Sequence, residues 1–366
     1  MNTDNQSKEK ELFFSIRHNK LLLFFFLIAG SIILLQTSSC SNGNKNDEGN
    51  ATDSSSTAVS DLMTEEKLWI APDTSTIPGG DEGKLIRYGR TLIIHTSKYF
   101  GPNGTLSKNT NGLNCQNCHL DAGTKPYGNN LGSTSTTYPK YLPRAGSLVT
   151  IAQKINECFS RSLNGSPIDT TSKEMAAYIS YIKWLGKDYK KELKLAGSEG
   201  IKAPPFIDRA ADPEKGKVAY DLYCARCHGK DGQGQYAVDV LKDETKQQGG
   251  TATAEDHYYY PPLWGNHSFN AVATLYRLSK FAGFIQNNMP YPINFNNPVL
   301  TNEQAWDIAA YVNSNDRPVK DHSKDYVVDI SKKPFDFPFP PYSDGFTQAQ
   351  HKYGPYTEMP SAHKAH

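Results

Sequence analysis

Cys115-Gln116-Asn117-Cys118-His119 decides how this chain is read. The five residues spell C-x-x-C-H, the attachment signature of a c-type haem. Two thiols three positions apart on one turn can each add to a haem vinyl group, and the histidine next in line falls under the iron as its proximal ligand. The pattern recurs at Cys224-Ala225-Arg226-Cys227-His228. A pair of zinc knuckles would need all four thiols in one site and would give the adjacent histidines no purpose. The sequence therefore predicts two covalently bound haem c groups, attached through Cys115, Cys118, Cys224 and Cys227, with His119 and His228 as iron ligands.

Helical patterning flanks each motif. Apolar residues at 85, 86, 88, 92, 93 and 94 predict an amphipathic helix over 84–98. A loop rich in Gly, Thr, Tyr and Pro follows over 120–146. A helix is expected over 147–163, capped by Ser147 and closed by Asn164-Gly165, and another over 172–186, capped by Ser172 and ended by Gly186. Asp212-Pro213 starts a helix that runs into the second motif. The stretch 301–312 supplies the last one, and its Ala309-Ala310-Tyr311 echoes Ala176-Ala177-Tyr178. Helix, motif, loop and terminal helix thus occur twice, which reads as an internal duplication. The expected fold is mainly α: two class I cytochrome c-like domains with long loops, each around one covalently bound haem. They are placed at 62–197 and 213–320, joined by a linker over 198–212 and followed by an extended tail over 321–366. His351, His363 and His366 read as solvated residues of that tail.

The N-terminus points outward from the cytoplasm. Residues 21–35 form an uncharged apolar run behind Arg17 and Lys20, too short for a comfortable membrane span and suited to a signal sequence. Thr37-Ser38-Ser39-Cys40 then resembles a bacterial lipoprotein box. The expectation is a lipoprotein signal over 1–39, a lipid on Cys40, a flexible polar tether over 40–61, and a periplasmic or cell-surface protein held at a membrane. An uncleaved anchor or an ordinary signal peptide would export the chain as well. The net charge of +1 implies no nucleic-acid surface.

What fills the sixth position of each iron governs function. For the second haem the candidate is Met289, in a predicted loop at Asn287-Asn288-Met289-Pro290; a thioether opposite histidine raises the potential and suits electron transfer. For the first haem no methionine sits comparably. His95 is one candidate. The other is Cys158, left over when the six cysteines are assigned. A free cysteine is commonly a small buried hydrophobe. Here Lys154 and Ser162 lie four positions either side on one helical face, with Arg161 and Arg144 as further neighbours, and cationic surroundings favour a thiolate and attract anions.

Two segments carry a family resemblance: Lys154-Ile155-Asn156-Glu157-Cys158-Phe159-Ser160-Arg161-Ser162-Leu163-Asn164-Gly165, and behind it Cys115-Gln116-Asn117-Cys118-His119-Leu120-Asp121-Ala122-Gly123. Over roughly 62–320 the chain resembles the dihaem thiosulfate dehydrogenases, which are also tetrathionate reductases. The resemblance implies that Cys158 is the axial ligand of a catalytic haem and that Ser162 and Arg144 help bind substrate. The family's arginine four residues before the cysteine is Lys154 here, which keeps the charge and loses the bidentate fork. A lysine that precedes the methionine in some members is Asn288 here, leaving Met289 as sole ligand. The implied reaction joins two thiosulfates into tetrathionate, in either direction, with electrons leaving through the second haem to an external c-type cytochrome. The competing readings are a lipid-anchored dihaem shuttle without its own substrate and a sulfur-oxidation cytochrome that loads a carrier protein.

Overall fold

The computed structural model describes residues 67–193, 195–198, 200–237, 257–293 and 295–359. The signal, Cys40, the tether, His363 and His366 lie outside the described residues. From residue 67 onward the described chain forms one compact unit around two hydrophobic clusters. No helix among the described residues is long and apolar enough to cross a membrane.

The first cluster is built where α1 (Gly80–Ile94) crosses α4 (Lys173–Leu185). Gly83, Ile86, Gly89 and Ile93 recur at helical spacing and are buried along one face of α1. The sequence predicted this helix running on to residue 98. Instead the backbone breaks at His95, and α2 (Thr96–Phe100) starts afresh. The break has a local cause. The Thr96 hydroxyl donates to Leu92 O at 2.8 Å and accepts the Cys115 N–H at 2.9 Å, while the Ser97 N–H donates to Asn114 Oδ1. The orphan groups of the new helix are thus satisfied by the residues that open the haem motif. α4 begins and ends as expected, with Ser172 accepting from the Met175 N–H and Gly186 at its end.

The loop over 120–146 holds a hairpin. β1 (Lys140–Leu142) pairs antiparallel with β2 (Ser147–Val149), and Arg144 sits in the turn between them. Ser147 is therefore a strand residue. The following helix, α3 (Ile151–Arg161), starts later than predicted, capped by Thr150 in a reciprocal box with Gln153.

The second cluster repeats the plan with α5 (Pro213–Tyr223), the short α6 (Ala225–His228) that carries the motif, α7 (Leu278–Asn288) and α8 (Asn302–Ser314). Asp212 caps α5 ahead of Pro213, and Thr301 caps α8. A second small hairpin pairs β3 (Gln235–Tyr236) with β4 (Tyr258–Tyr260). Each crossing is seated on a glycine. A Cβ at Gly89 would stand 2.0 Å from Ala177 O, and one at Gly216 would stand 1.9 Å from Asp307 O. Tyr181 and Tyr311 flank the two contacts equivalently. The packing thus matches Tyr311 with Tyr181, and the Ala-Ala-Tyr echo seen in the sequence is three residues out of register.

The tail folds back over the second cluster. Tyr356 and Met359 enter that core, and α9 (Gln348–Tyr353) holds His351 at 1 % exposure. His351 Nδ1 meets Phe335 O, Nε2 meets Asp344 Oδ1, and the ring stacks on Tyr342. The expectation of a solvated His351 is corrected, because the aperiodic tail is packed by aromatic contacts with no helical or strand period to reveal them.

Candidate functional site

Both motif histidines are oriented by a carbonyl. His228 Nδ1 lies 2.8 Å from Pro261 O, and His119 Nδ1 lies 2.5 Å from Asn129 O. A carbonyl only accepts, so Nδ1 carries the proton and Nε2 keeps its lone pair for a metal. Burial lowers the proton affinity of both rings, which favours the neutral, ligating form.

Beside His228 lies a cavity of about 550 Å³ lined by Cys224, Cys227, Met289 and a largely apolar wall that includes Leu263, Phe284 and Ile308. Two thiols, an imidazole and a thioether facing one apolar space are the donors and the volume a haem c requires. Met289 terminates α7 and precedes Pro290, with its N–H bonded to Ile285 O. Asn287 and Asn288, predicted in a loop, are the last residues of the helix. Asn288 is fully buried and donates to Tyr127 O and Phe284 O. Gln116, Asn117, Cys118, Leu120 and Asp121 line the same cavity. The two motifs are therefore neighbours.

At the first motif Cys115–Asn117 form a single 3-10 turn capped by Asn114. Burial pushes the Cys115 and Cys118 thiols up to about 12, and the nearby Cys158 pushes both further in that direction. Cys158 thus lies within electrostatic reach of the two attachment thiols. His95 lies at the α1–α2 break, edge-on to His257. Cys158 also carries a surprise. Burial raises its thiol, Lys154 draws it down, Glu157 raises it again, and Arg144 and Arg161 lower it; burial prevails. The cationic neighbours alone do not make the thiolate expected from the sequence. Bonding to a metal ion would.

Arg144 and Lys154 meet on one carboxylate. Lys154 Nζ lies 3.0 Å from Glu157 Oε2, and Arg144 pairs with the same oxygen. Burial works against the Glu157 charge, but Lys154 and Arg144 outweigh it and hold the carboxyl below its ordinary range. Two cations against one anion leave this wall net positive. Arg144 Nε is buried with no hydrogen-bond partner, a donor on hand for an incoming acceptor. Ser162 caps the end of α3, one turn beyond Cys158, and its N–H donates to Cys158 O. Tyr138 stands within the electrostatic reach of Lys154, Glu157, Cys158 and Arg144. Arg161 turns elsewhere, gripping Asp325 and Val272 O.

The structure thus brings Arg144 and Lys154 together on Glu157 beside Cys158, places Ser162 one turn beyond that cysteine, and puts Met289 at the second motif. Sequence reasoning missed Glu157, Tyr138 and Asp325. Glu157 left one signal, its i,i+3 spacing from Lys154; the other two left none.

Comparison with known proteins places the chain in a family. A family model described as SoxA/TsdA, cytochrome c domain, matches residues 106–190, and a cytochrome c model matches 213–316. A thiosulfate dehydrogenase from Psychrobacter arcticus is 36% identical over 251 residues, covering 68% of this chain and 68% of its own. One from Stutzerimonas stutzeri is 33% identical over 253 residues, covering 69% and 74%. The solved thiosulfate dehydrogenase (TsdBA) of Marichromatium purpuratum, in its as-isolated form, superposes with a TM-score of 0.58 at 28% identity over 69% of this chain. This chain spans 50% of the length of that one.

Proposed function

The chain belongs to the thiosulfate dehydrogenase family and carries two haem c groups, and from that premise we propose that it joins two thiosulfates into one tetrathionate at Cys158. Cys115, Cys118, His119 and Cys158 would hold the first haem. Cys224, Cys227 and His228 would hold the second, with Met289. When bound, the two irons supply the sink for two electrons, one each.

The protein's own residues do the rest. Thiosulfate is a dianion, so two of them repel; Arg144, Lys154 and Ser162 offset that repulsion with charge and hydrogen bonds to the sulfonate oxygens. The Cys158 sulfur forms a bond to the terminal sulfur of the first thiosulfate as two electrons leave. The second thiosulfate attacks that terminal sulfur, the bond to Cys158 breaks, tetrathionate departs and the Cys158 thiolate is regenerated. The second step is ordinary thiol exchange with a good leaving group. The reverse sequence consumes two electrons and splits tetrathionate. A haem held by Cys224, Cys227, His228 and Met289 would pass electrons to an external c-type cytochrome, and the lipid on Cys40 would hold the protein at a membrane outside the cytoplasm; the apolar run at 21–35 ahead of Cys40 supports this.

The observation that carries the proposal is the meeting of Lys154 and Arg144 on Glu157, the neighbour of Cys158, with Cys158 itself in electrostatic reach of the first motif's attachment thiols. Purified holo-protein, given thiosulfate and an artificial electron acceptor, should form one tetrathionate per two thiosulfates consumed. The Cys158→Gly protein should keep both haems and lose that turnover. Undiminished turnover in Cys158→Gly would sink the proposal.

A further inference from the structure

The matched cytochrome c segment ends at 316, yet the residues beyond it reach back to both axial-ligand helices. Asp325 takes Arg161 bidentately, at 2.8 and 2.7 Å, and its side chain is 8% exposed. Arg161 is the last residue of α3, the helix of Cys158. The next residue, Tyr326, donates its N–H to Arg144 O at 3.0 Å. Two residues on, Val328 closes against the same turn, where a Cβ on Gly146 would stand 2.3 Å from it. Three successive contacts thus fix the Arg144 turn and the end of α3 relative to each other.

The other end of this segment holds the second haem's helix. Asp336 is 1% exposed and pairs with Arg277, 2.7 Å from its Nε. It accepts the Ser279 N–H at 3.1 Å and the Ser279 hydroxyl. Arg277 and Ser279 open α7, the helix that ends at Met289. Asp336 therefore caps α7 from outside, satisfying a first-turn N–H and placing negative charge at the helix N-terminus.

We propose that residues 325–336 are a strap that positions the substrate-binding cations and Cys158 against the first haem, with Asp325 as its positioning residue and Asp336 as its anchor on the Met289 helix. Its role in substrate binding rests on the assignment of thiosulfate to Cys158. Asp325 acts through Arg161 and, by way of Tyr326, through the carbonyl of Arg144. Small displacements of binding groups cost catalysis heavily, on the order of a hundredfold for about 1 Å.

The test uses full-length holo-protein carrying Asp325→Asn, which keeps the volume and loses the charge and one acceptor, and Arg161→Lys, which keeps the charge and loses the fork. Both should raise the thiosulfate KM by roughly tenfold, with kcat less affected, and make the EPR signal of the Cys158-ligated haem heterogeneous. Amide exchange over 140–163 should quicken in both, while Asp325→Glu should recover most of each effect. Asp336→Asn should instead shift the potential of the Met289 haem. Exchange and KM at wild-type values in both variants would overturn the strap. If the wild-type protein forms no tetrathionate while exchange still quickens in the variants, the substrate assignment falls and the positioning of α3 stands.

Discussion

Lys154 Nζ stands 3.0 Å from Glu157 Oε2, one turn along the helix that carries Cys158, and Arg144 shares that oxygen. The carboxylate therefore competes with any sulfonate for both cations. On the proposed role of Arg144 and Lys154, the neutral amide of Glu157→Gln would free both for substrate. The thiosulfate KM should fall about three- to tenfold at low salt, the salt dependence should steepen, and kcat should fall as the dianionic product leaves more slowly. Steady-state kinetics at two ionic strengths checks this; an unchanged KM would show that the pair is structural only.

Lys154→Arg restores a planar fork at the same position. Two parallel hydrogen bonds to one sulfonate should lower the thiosulfate KM by roughly threefold with little change in kcat. The comparison is clean, because charge and helix propensity are nearly the same.

Gly89→Ala and Gly216→Ala test the two helix crossings. Each added methyl would meet a backbone carbonyl, 2.0 Å away at Ala177 and 1.9 Å away at Asp307. Neither carbonyl is a side-chain tip that can swing aside, so the helices must separate. Each change should cost about 3 kcal/mol or more despite alanine's better helix propensity. Denaturant unfolding of the holo-proteins measures it, and a loss below about 1 kcal/mol would show that the crossings are loose.

Lys333 gives a pH signature. Its side chain is buried, donates to Pro341 O at 2.7 Å and to Phe339 O at 3.2 Å, and lies over the rings of Phe337 and Tyr342. Burial holds its ammonium below the ordinary 10.5, with Asp325 offsetting part of the effect. Between that depressed value and 10.5 the unfolded chain keeps a proton the folded chain has released. Stability from this group therefore rises with pH across the window and is flat below it. Thermal unfolding of wild type and Lys333→Met should diverge as pH climbs toward 10.5, the wild type gaining relative to the variant. Parallel curves would contradict the shift.

Local chemistry was legible in the sequence, and long-range chemistry was not. The two motifs, the cap Ser172, the helix start at Asp212-Pro213 and the glycine end at Gly186 all depend on residues within a few positions, and all stand where expected. The break at His95 depends on Asn114, beyond helical range, so periodicity ran through it. Ser147 looked like a cap because a hairpin of three-residue strands leaves too little alternation to compete with the helical pattern beyond it. Ser162 and Arg144 were legible as neighbours of Cys158, and only their role came from family resemblance, whereas Asp325, over 160 positions from Arg161, had no pattern to announce it.

Leu120, immediately after His119, packs into the cluster around Trp306 and Phe284 rather than into its own lobe's, and its neighbours Cys118 and Asp121 help wall the cavity beside His228. The duplicated halves are thus not interchangeable modules. A fragment ended before the second motif would present Leu120 to water, and one begun after the first would lack a side of its haem pocket. Expression of either half alone should yield a sticky, poorly haem-loaded product, so the chain's two halves mature as one piece.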